Sequence, residues 1–273
     1  VDRWIDYVPV TGAPHRAAGR LKVLRAVASP QLGNTRDLLV CLPPSYAASQ
    51  HRYPVLYMQD GQNLFDRGTS YVEEWRADEV LDAAAAEGVE AILVGIPHMR
   101  EHRMDEYSPY RDRRLGGGRA ADYLAFLIDT VKPLIDAAFR TRPGRAGTGV
   151  LGSSMGGLFS VYALFQRSDV FGCAGAMSPA LWFSRRAIFR WLERQPPPHG
   201  RLYLDAGTEE GPIVLADVAR LRDLLIERGY RSGRDLRVVL EAGGRHNETA
   251  WSRRLLGALQ FLLRNEMREI RPS

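Results

Sequence analysis

The stretch GSSMGG (152–157) sets Ser154 two residues from both Gly152 and Gly156, where an apolar run, TGVLG (148–152), gives way to a helix-like run, MGGLFSVYALFQ (155–166). G-x-S-x-G at a strand-to-helix turn is the pattern of a nucleophile elbow. The serine occupies a strained turn that exposes its hydroxyl, and the residues two away are small because strand and helix nearly collide there. The chemistry this permits is attack of a serine oxygen on a carbonyl, with the N–H of Met155 aimed at the oxyanion that forms. Such a serine needs a base, and the base needs a carboxylate to orient it, in the chain order Ser, acid, His. Of the six histidines, His15, His51, His98 and His102 precede the serine, and His199 enters a strand behind three prolines. His246 follows the run LRVVLE and the turn AGGR, just ahead of the last helical stretch. For the acid, RLYLDAGTEEG (201–211) offers Asp205 inside a strand and Glu209 and Glu210 on the turn beyond it. Catalytic groups collect beyond the carboxyl ends of strands in open α/β sheets, so the acid is one of the two glutamates, with Glu210 preferred over Glu209. A second oxyanion donor belongs on the loop after the third strand, where MQDGQNLFD (58–66) lets Gly61 bring the N–H of Gln62 close.

Two other readings compete for the glycines. Gly147, Gly149 and Gly152 spell G-x-G-x-x-G, but the strand runs on through this pattern, and Asp169 lies before its apolar run instead of after it. That placement argues against dinucleotide binding. A merely structural glycine turn is the third reading, and it does not account for His246, the glutamates and the Gly61 turn arriving in order.

The elements that must position these residues alternate along the chain. LKVLRAVAS (21–29) and DLLVCLP (37–43) read as an antiparallel pair. Buried strands are expected at 54–58, 90–96, 148–152, 172–178, 201–207 and 236–243. Helices are expected at 73–88, at 120–139 with Pro133 bending it, at 155–166, across RRAIFRWLE (185–193), at 211–229 and at 251–264. The pattern predicts a mostly parallel central sheet with an antiparallel N-terminal strand pair and helices on both faces, in one domain spanning 1–273 with a core over about 20–265. The segment 97–119 is too long and polar for a simple connection and reads as an insert-like wall of the active site.

Composition is that of an ordinary globular chain, 45 % hydrophobic and 25 % charged over 273 residues, with a net charge of +5. Only Lys22 and Lys132 are lysine among 37 basic residues, and the arginines are interspersed with carboxylates, so no nucleic-acid partner is expected. Cys41 and Cys173 sit in separate apolar runs and read as buried free thiols. No cationic-then-apolar leader and no 18-residue apolar run is present, so the expectation is a cytoplasmic protein with no membrane partner.

The motifs RDLLVCLPPSY, PVLYMQDGQNLFD, EWRADE, MDEYSP, GSSMGG, SPALWF, GTEEG and GRHNETAW together resemble the "Putative esterase" group of α/β-hydrolases. That group includes esterase D, enterochelin-esterase-like siderophore esterases, feruloyl and acetylxylan esterases and the mycolyltransferases. The resemblance runs over roughly 20–265. It implies the α/β-hydrolase fold, Ser154 as nucleophile, His246 as base, an acid within GTEEG, and Met155 and the Gln62 position as oxyanion donors. It implies a serine carboxylesterase acting on a small-molecule ester through an acyl-enzyme, with no metal or cofactor. Acyl transfer to an alcohol, or a non-catalytic binding protein of the same fold, are the alternatives, and a homodimer is left open. For the substrate pocket, the candidates are Asp60, Phe65, Trp75, Arg103, Tyr107, Tyr110 and Trp182. Arg103 either meets an anionic substrate group or pairs with Asp105 or Glu106.

Overall fold

A computed structural model describes residues 4–10, 17 and 19–263. The strands are β1 (Ile5–Asp6), β2 (Leu21–Ser29), β3 (Asn34–Cys41), β4 (Val55–Gln59), β5 (Ile92–Ile96), β6 (Arg111–Asp112), β7 (Gly116–Gly117), β8 (Thr148–Ser153), β9 (Cys173–Met177), β10 (Arg201–Gly207) and β11 (Leu236–Glu241). The helices are α1 (Ala77–Ala86), α2 (Arg103–Tyr107), α3 (Ala120–Phe126), α4 (Lys132–Ala138), α5 (Met155–Gln166), α6 (Phe183–Leu192), α7 (Pro212–Glu227) and α8 (Glu248–Leu263).

Nine strands form one sheet in the order β1-β2-β3-β5-β4-β8-β9-β10-β11. From β5 to β11 every pairing is parallel, whereas β1, β2 and β3 join antiparallel at the N-terminal side. The interior strands are buried along their whole length, as VLYMQ and ILVGI require when helices cover both faces. Alternation sorts their side chains between two cores. Val55, Tyr57, Ile92, Val94 and Val150 face α3 to α7. Leu56, Met58, Leu93 and Leu151 face α1 and α8. Cys41 and Cys173 are buried and free.

The parallel sheet, its antiparallel N-terminal pair and the two helical layers are as the sequence predicts, and β2 and β10 occupy the expected residues. The expected helix over 120–139 is instead α3 and α4 joined by a π turn at Leu127–Val131. Pro133 has no N–H to return to Asp129, and the ladder widens just ahead of it. In α6, Ser184, Arg185 and Arg186 are left-handed (φ 47, 55 and 58), so regular helix begins only at Ala187. The ends of the expected 1–273 span lie outside the described residues, as does residue 264 of the last helix. No described helix is long and apolar enough to cross a membrane.

Candidate active site

The candidate site residues gather along the carboxyl ends of β4, β8, β9, β10 and β11. At the end of β8 the chain turns into α5 through Ser154, whose backbone (φ 54, ψ −117) lies in a region that non-glycine residues avoid. Its N–H donates to Met177 O at 2.9 Å, and its carbonyl accepts from Ala180 N–H at 2.9 Å, which fastens the turn to β9. The flanking glycines are there for space. A Cβ on Gly152 would lie 2.5 Å from Gln59 Oε1 and 2.7 Å from the Gly156 carbonyl carbon. Ser153 is buried and Ser154 half-buried, and both line a cleft.

Beyond β10 and β11 two loops run side by side. Gly207 and Gly244 touch so closely that a Cβ on Gly207 would be 2.2 Å from the Gly244 carbonyl. Glu209 N–H donates to Gly244 O at 2.9 Å, and Gly243 N–H donates to Thr208 Oγ1 at 2.8 Å. This contact brings the acid and the histidine together. Glu210 Oε2 lies 2.8 Å from His246 Nδ1, with the Glu210 side chain wholly buried and His246 at 40 % exposure. An ionised carboxylate only accepts, so Nδ1 carries the proton and Nε2 keeps its lone pair. Glu210 Oε1 accepts from Ser178 Oγ at 2.6 Å and from Gly207 N–H at 2.7 Å. Burial by itself would raise the Glu210 carboxyl, but the hydrogen bonds from His246, Ser178 and Gly207 outweigh it and hold the group below the usual range. Glu209 points away and pairs with Arg245 Nε at 2.7 Å, half-exposed. Between the two candidate acids, only Glu210 meets the histidine.

Ser154 and His246 line one cleft of about 770 Å³, shared with Asp60, Gln62, Arg103 and Trp251. Met155 is the first residue of α5, and Gln62 is the second residue of a 3₁₀ turn over Gly61–Asn63. The opening amides of a helix have no intrahelical acceptor, so both N–H groups belong to classes available to a ligand. Gly61 rests directly on β5, where an added Cβ would be 2.5 Å from Gly95 C and Ile96 N. Asp60 is left-handed (φ 56), and its N–H donates to Tyr107 Oη at 3.1 Å.

Other pocket candidates are placed elsewhere. Phe65, Trp75 and Tyr107 are core residues at 2 % exposure or less. Trp75 stacks on Trp251 at 5.7 Å, and Tyr107 packs on Tyr123 and Phe159. Tyr110 packs against the larger core, and Trp182 lies beside Phe183 outside the cleft lining. Tertiary packing, not the local sequence, decides where each ring goes. Arg103 is at the cleft, but its partner is neither Asp105 nor Glu106. It clamps Asp60 through Nε to Oδ1 at 2.7 Å and Nη2 to Oδ2 at 2.8 Å. Burial opposes its charge, and the Asp60 carboxylate more than restores it, so its pKa is raised. Asp105 is taken by Gly117 N–H at 2.7 Å, and Glu106 by buried Arg36 at 2.6 Å. Geometry within one turn of α2 faces Glu106 to the core and Arg103 to the cleft.

The cleft also holds Asn63, Thr69, Tyr71, His98, Arg100 and Glu248, which the motif order did not single out. Glu248 accepts from Asn63 Nδ2 at 3.3 Å, and burial followed by the charges of Glu73 and Asp60 raises its pKa. Desolvation lowers that of His98. The segment 97–119 supplies His98, Arg100 and Arg103 to this cleft lining. A second groove of about 790 Å³, lined by Arg111, Arg113, Arg114 and Arg185 with Asp112 and Ser184, has no histidine among its lining residues. Cavity size alone does not choose between the two.

A serine elbow at the carboxyl edge of a mostly parallel sheet, with antiparallel strands at its N-terminal side, is the arrangement of the α/β-hydrolase fold. The chain matches the family described as "Putative esterase" over residues 29–262 and belongs to that family of ester hydrolases. It is 28 % identical over 243 residues, 84 % of this chain and 93 % of the other, to Bacillus subtilis YbbA, described as an uncharacterized protein. It is 31 % identical over 141 residues, 50 % of this chain and 47 % of the other, to the siderophore triacetylfusarinine C esterase of Aspergillus fumigatus. Its fold is shared with the enterobactin esterase FES of Shigella flexneri, with a TM-score of 0.75 at 19 % identity over 95 % of this chain and 63 % of that one.

Proposed function

We propose that the protein is a serine carboxylic-ester hydrolase with Ser154 as nucleophile, His246 as general base and Glu210 as the orienting acid. The observation that carries this reading is the 2.8 Å contact between His246 Nδ1 and a fully buried Glu210, on a cleft that Ser154 enters from its strained turn. Nδ1–H donated to Glu210 leaves Nε2 to take the Ser154 proton as Oγ attacks the ester carbonyl, and Glu210 stabilises the imidazolium. The N–H groups of Met155 and Gln62 receive the oxyanion, each contributing about 3 kcal/mol to the transition state. Collapse expels the alcohol, protonated by His246, and water then releases the acyl group by the same steps in reverse order. The substrate is a small-molecule ester. The siderophore esterase named above supports testing siderophore esters alongside feruloyl and acetyl ones.

The test is labelling by a fluorophosphonate and hydrolysis of p-nitrophenyl acetate, with wild type and Ser154→Ala compared. Wild type is expected to be labelled and active, and Ser154→Ala to lose labelling and about 10⁴-fold or more of kcat. An active Ser154→Ala variant ends the reading.

A further inference from the structure

Behind Glu210 lies a polar cluster that the reaction steps above do not use. Ser178 follows β9 directly, has no exposed surface, and is held at φ 43. Its N–H donates to both the carbonyl and Oδ1 of Asp205 at 3.0 Å. A hydroxyl has one proton and two lone pairs. Two donors from α8, Trp251 Nε1 and Arg254 Nη2, each reach Ser178 Oγ at 2.9 Å. With both lone pairs taken, the proton has one place to go, and Glu210 Oε1 is there at 2.6 Å. The rotor is therefore locked by its surroundings.

Resting on the triad reading, we infer that Ser178 is a positioning residue, a fixed donor that holds Glu210 Oε1 so that only Oε2 faces His246. The arginine completes the device. Arg254 lies 3.0 Å from Asp205 Oδ2, 2.6 Å from Glu241 Oε2 and 3.7 Å from Glu210 Oε1, so one cation is shared by three carboxylates. Its guanidinium polarises the Ser178 hydroxyl toward Glu210. The charged groups around Glu210 are Arg254 from α8, with Arg253 beside it on Glu241, Asp205 from β10, whose carboxyl burial pushes up to about 6, Glu241 from β11 and His246 from the loop after β11. The hydroxyl gathers the ends of β9 and β10 and the face of α8 onto a single carboxylate oxygen.

The experiment uses Ser178→Ala and Ser178→Gly, assayed on p-nitrophenyl acetate across pH 5 to 9 beside Ser154→Ala. Both Ser178 variants remove the hydroxyl, and glycine also removes any cost of the positive φ. Both are expected to lose about 10- to 100-fold in kcat, the worth of a hydrogen bond to a charged group, with KM within about twofold. Loss of the donor concentrates negative charge on Oε2 and raises the affinity of His246 for its proton. The acid limb of kcat/KM is therefore expected to move to higher pH in both. Trp251→Phe, which removes one of the two donors that aim the hydroxyl, is expected to shift the limb in the same direction by less, and it decides the matter if the Ser178 variants do not fold. Wild-type activity in Ser178→Gly, or lost kcat with an unmoved acid limb, overturns the inference while leaving the triad standing. Full activity in Ser154→Ala overturns the triad reading instead.

Discussion

The two sides of the cleft are held in different ways. On the acid side, Ser178, Arg254 and Gly207 hold a side chain, the carboxylate of Glu210, by hydrogen bonds and charge. On the opposite side the group the proposed reaction needs held is a backbone amide, that of Gln62, and the residue before the turn is pinned instead. Asp60 is clamped by Arg103 through its carboxylate and by Tyr107 through its N–H. Both partners sit on α2, and α2 is anchored by the Arg36–Glu106 pair, each side chain 1 % exposed. Arg36 also lies against the Phe126 and Tyr123 rings, and the Glu106 hydrogen bond raises its pKa against the opposing effect of burial. Damage on the acid side should alter proton chemistry. Damage on the amide side should alter catalysis or stability without moving the pH profile.

The largest effect that separates the sides is expected from Glu210→Gln. Loss of the orienting carboxylate should cost about 10³- to 10⁴-fold in kcat, whereas Glu209→Gln stays near wild type. Steady-state kinetics of the two single variants check this, and the acid assignment fails if the Glu209 change is the damaging one. Next comes Gly61→Ala, where the new Cβ must push the turn off Gly95 and Ile96 and carry the Gln62 amide with it. A drop of about 10²- to 10³-fold in kcat is expected, with the pH limbs unmoved.

Arg36→Met leaves Glu106 buried and unpaired, which costs about 3 to 5 kcal/mol of stability. The readout is Tm, expected to fall by roughly 10 °C for a chain of this size, while activity in the remaining folded protein keeps its pH dependence. The acid side has a stability signature of its own. Glu210 is held below the usual carboxylate range when folded, so its contribution is present above its unfolded value of about 4.3 and is lost as pH falls through the folded one. The decline of Tm between about pH 5 and pH 3 should therefore be shallower in Glu210→Gln than in wild type. The smallest effect is expected from Trp182→Ala, within about twofold in kcat/KM for p-nitrophenyl acetate, because this ring lies outside the cleft lining.

The same contrast shows what a sequence gives away. Ser154, His246, the glutamate pair and the Gly61 turn were legible because each sits where a strand ends, and apolar runs with their terminating glycines mark strand ends in one dimension. Which ring enters the cleft was not legible. Trp75 and Trp251 are alike in sequence terms and share one core cluster, yet only Trp251 also meets His246 edge-on at 5.0 Å and lines the cleft. The partner of Arg103 was hidden because Asp60 is 43 residues away and the nearer carboxylates face elsewhere. Arg254 did leave a trace, a charged residue on the buried stripe of Trp251, Leu255 and Ala258. Ser178 left a weaker one, a lone hydroxyl at the last position of the strand expected over 172–178.

The Gly207–Gly244 contact carries a consequence for inheritance and redesign. The turn bearing Glu210 and the turn bearing His246 interlock at two residues that have no room for a methyl group. Neither turn can lengthen, shorten or be exchanged without its neighbour, so drift in one constrains drift in the other. A transplant of this chemistry into another scaffold would have to move both turns as one cassette.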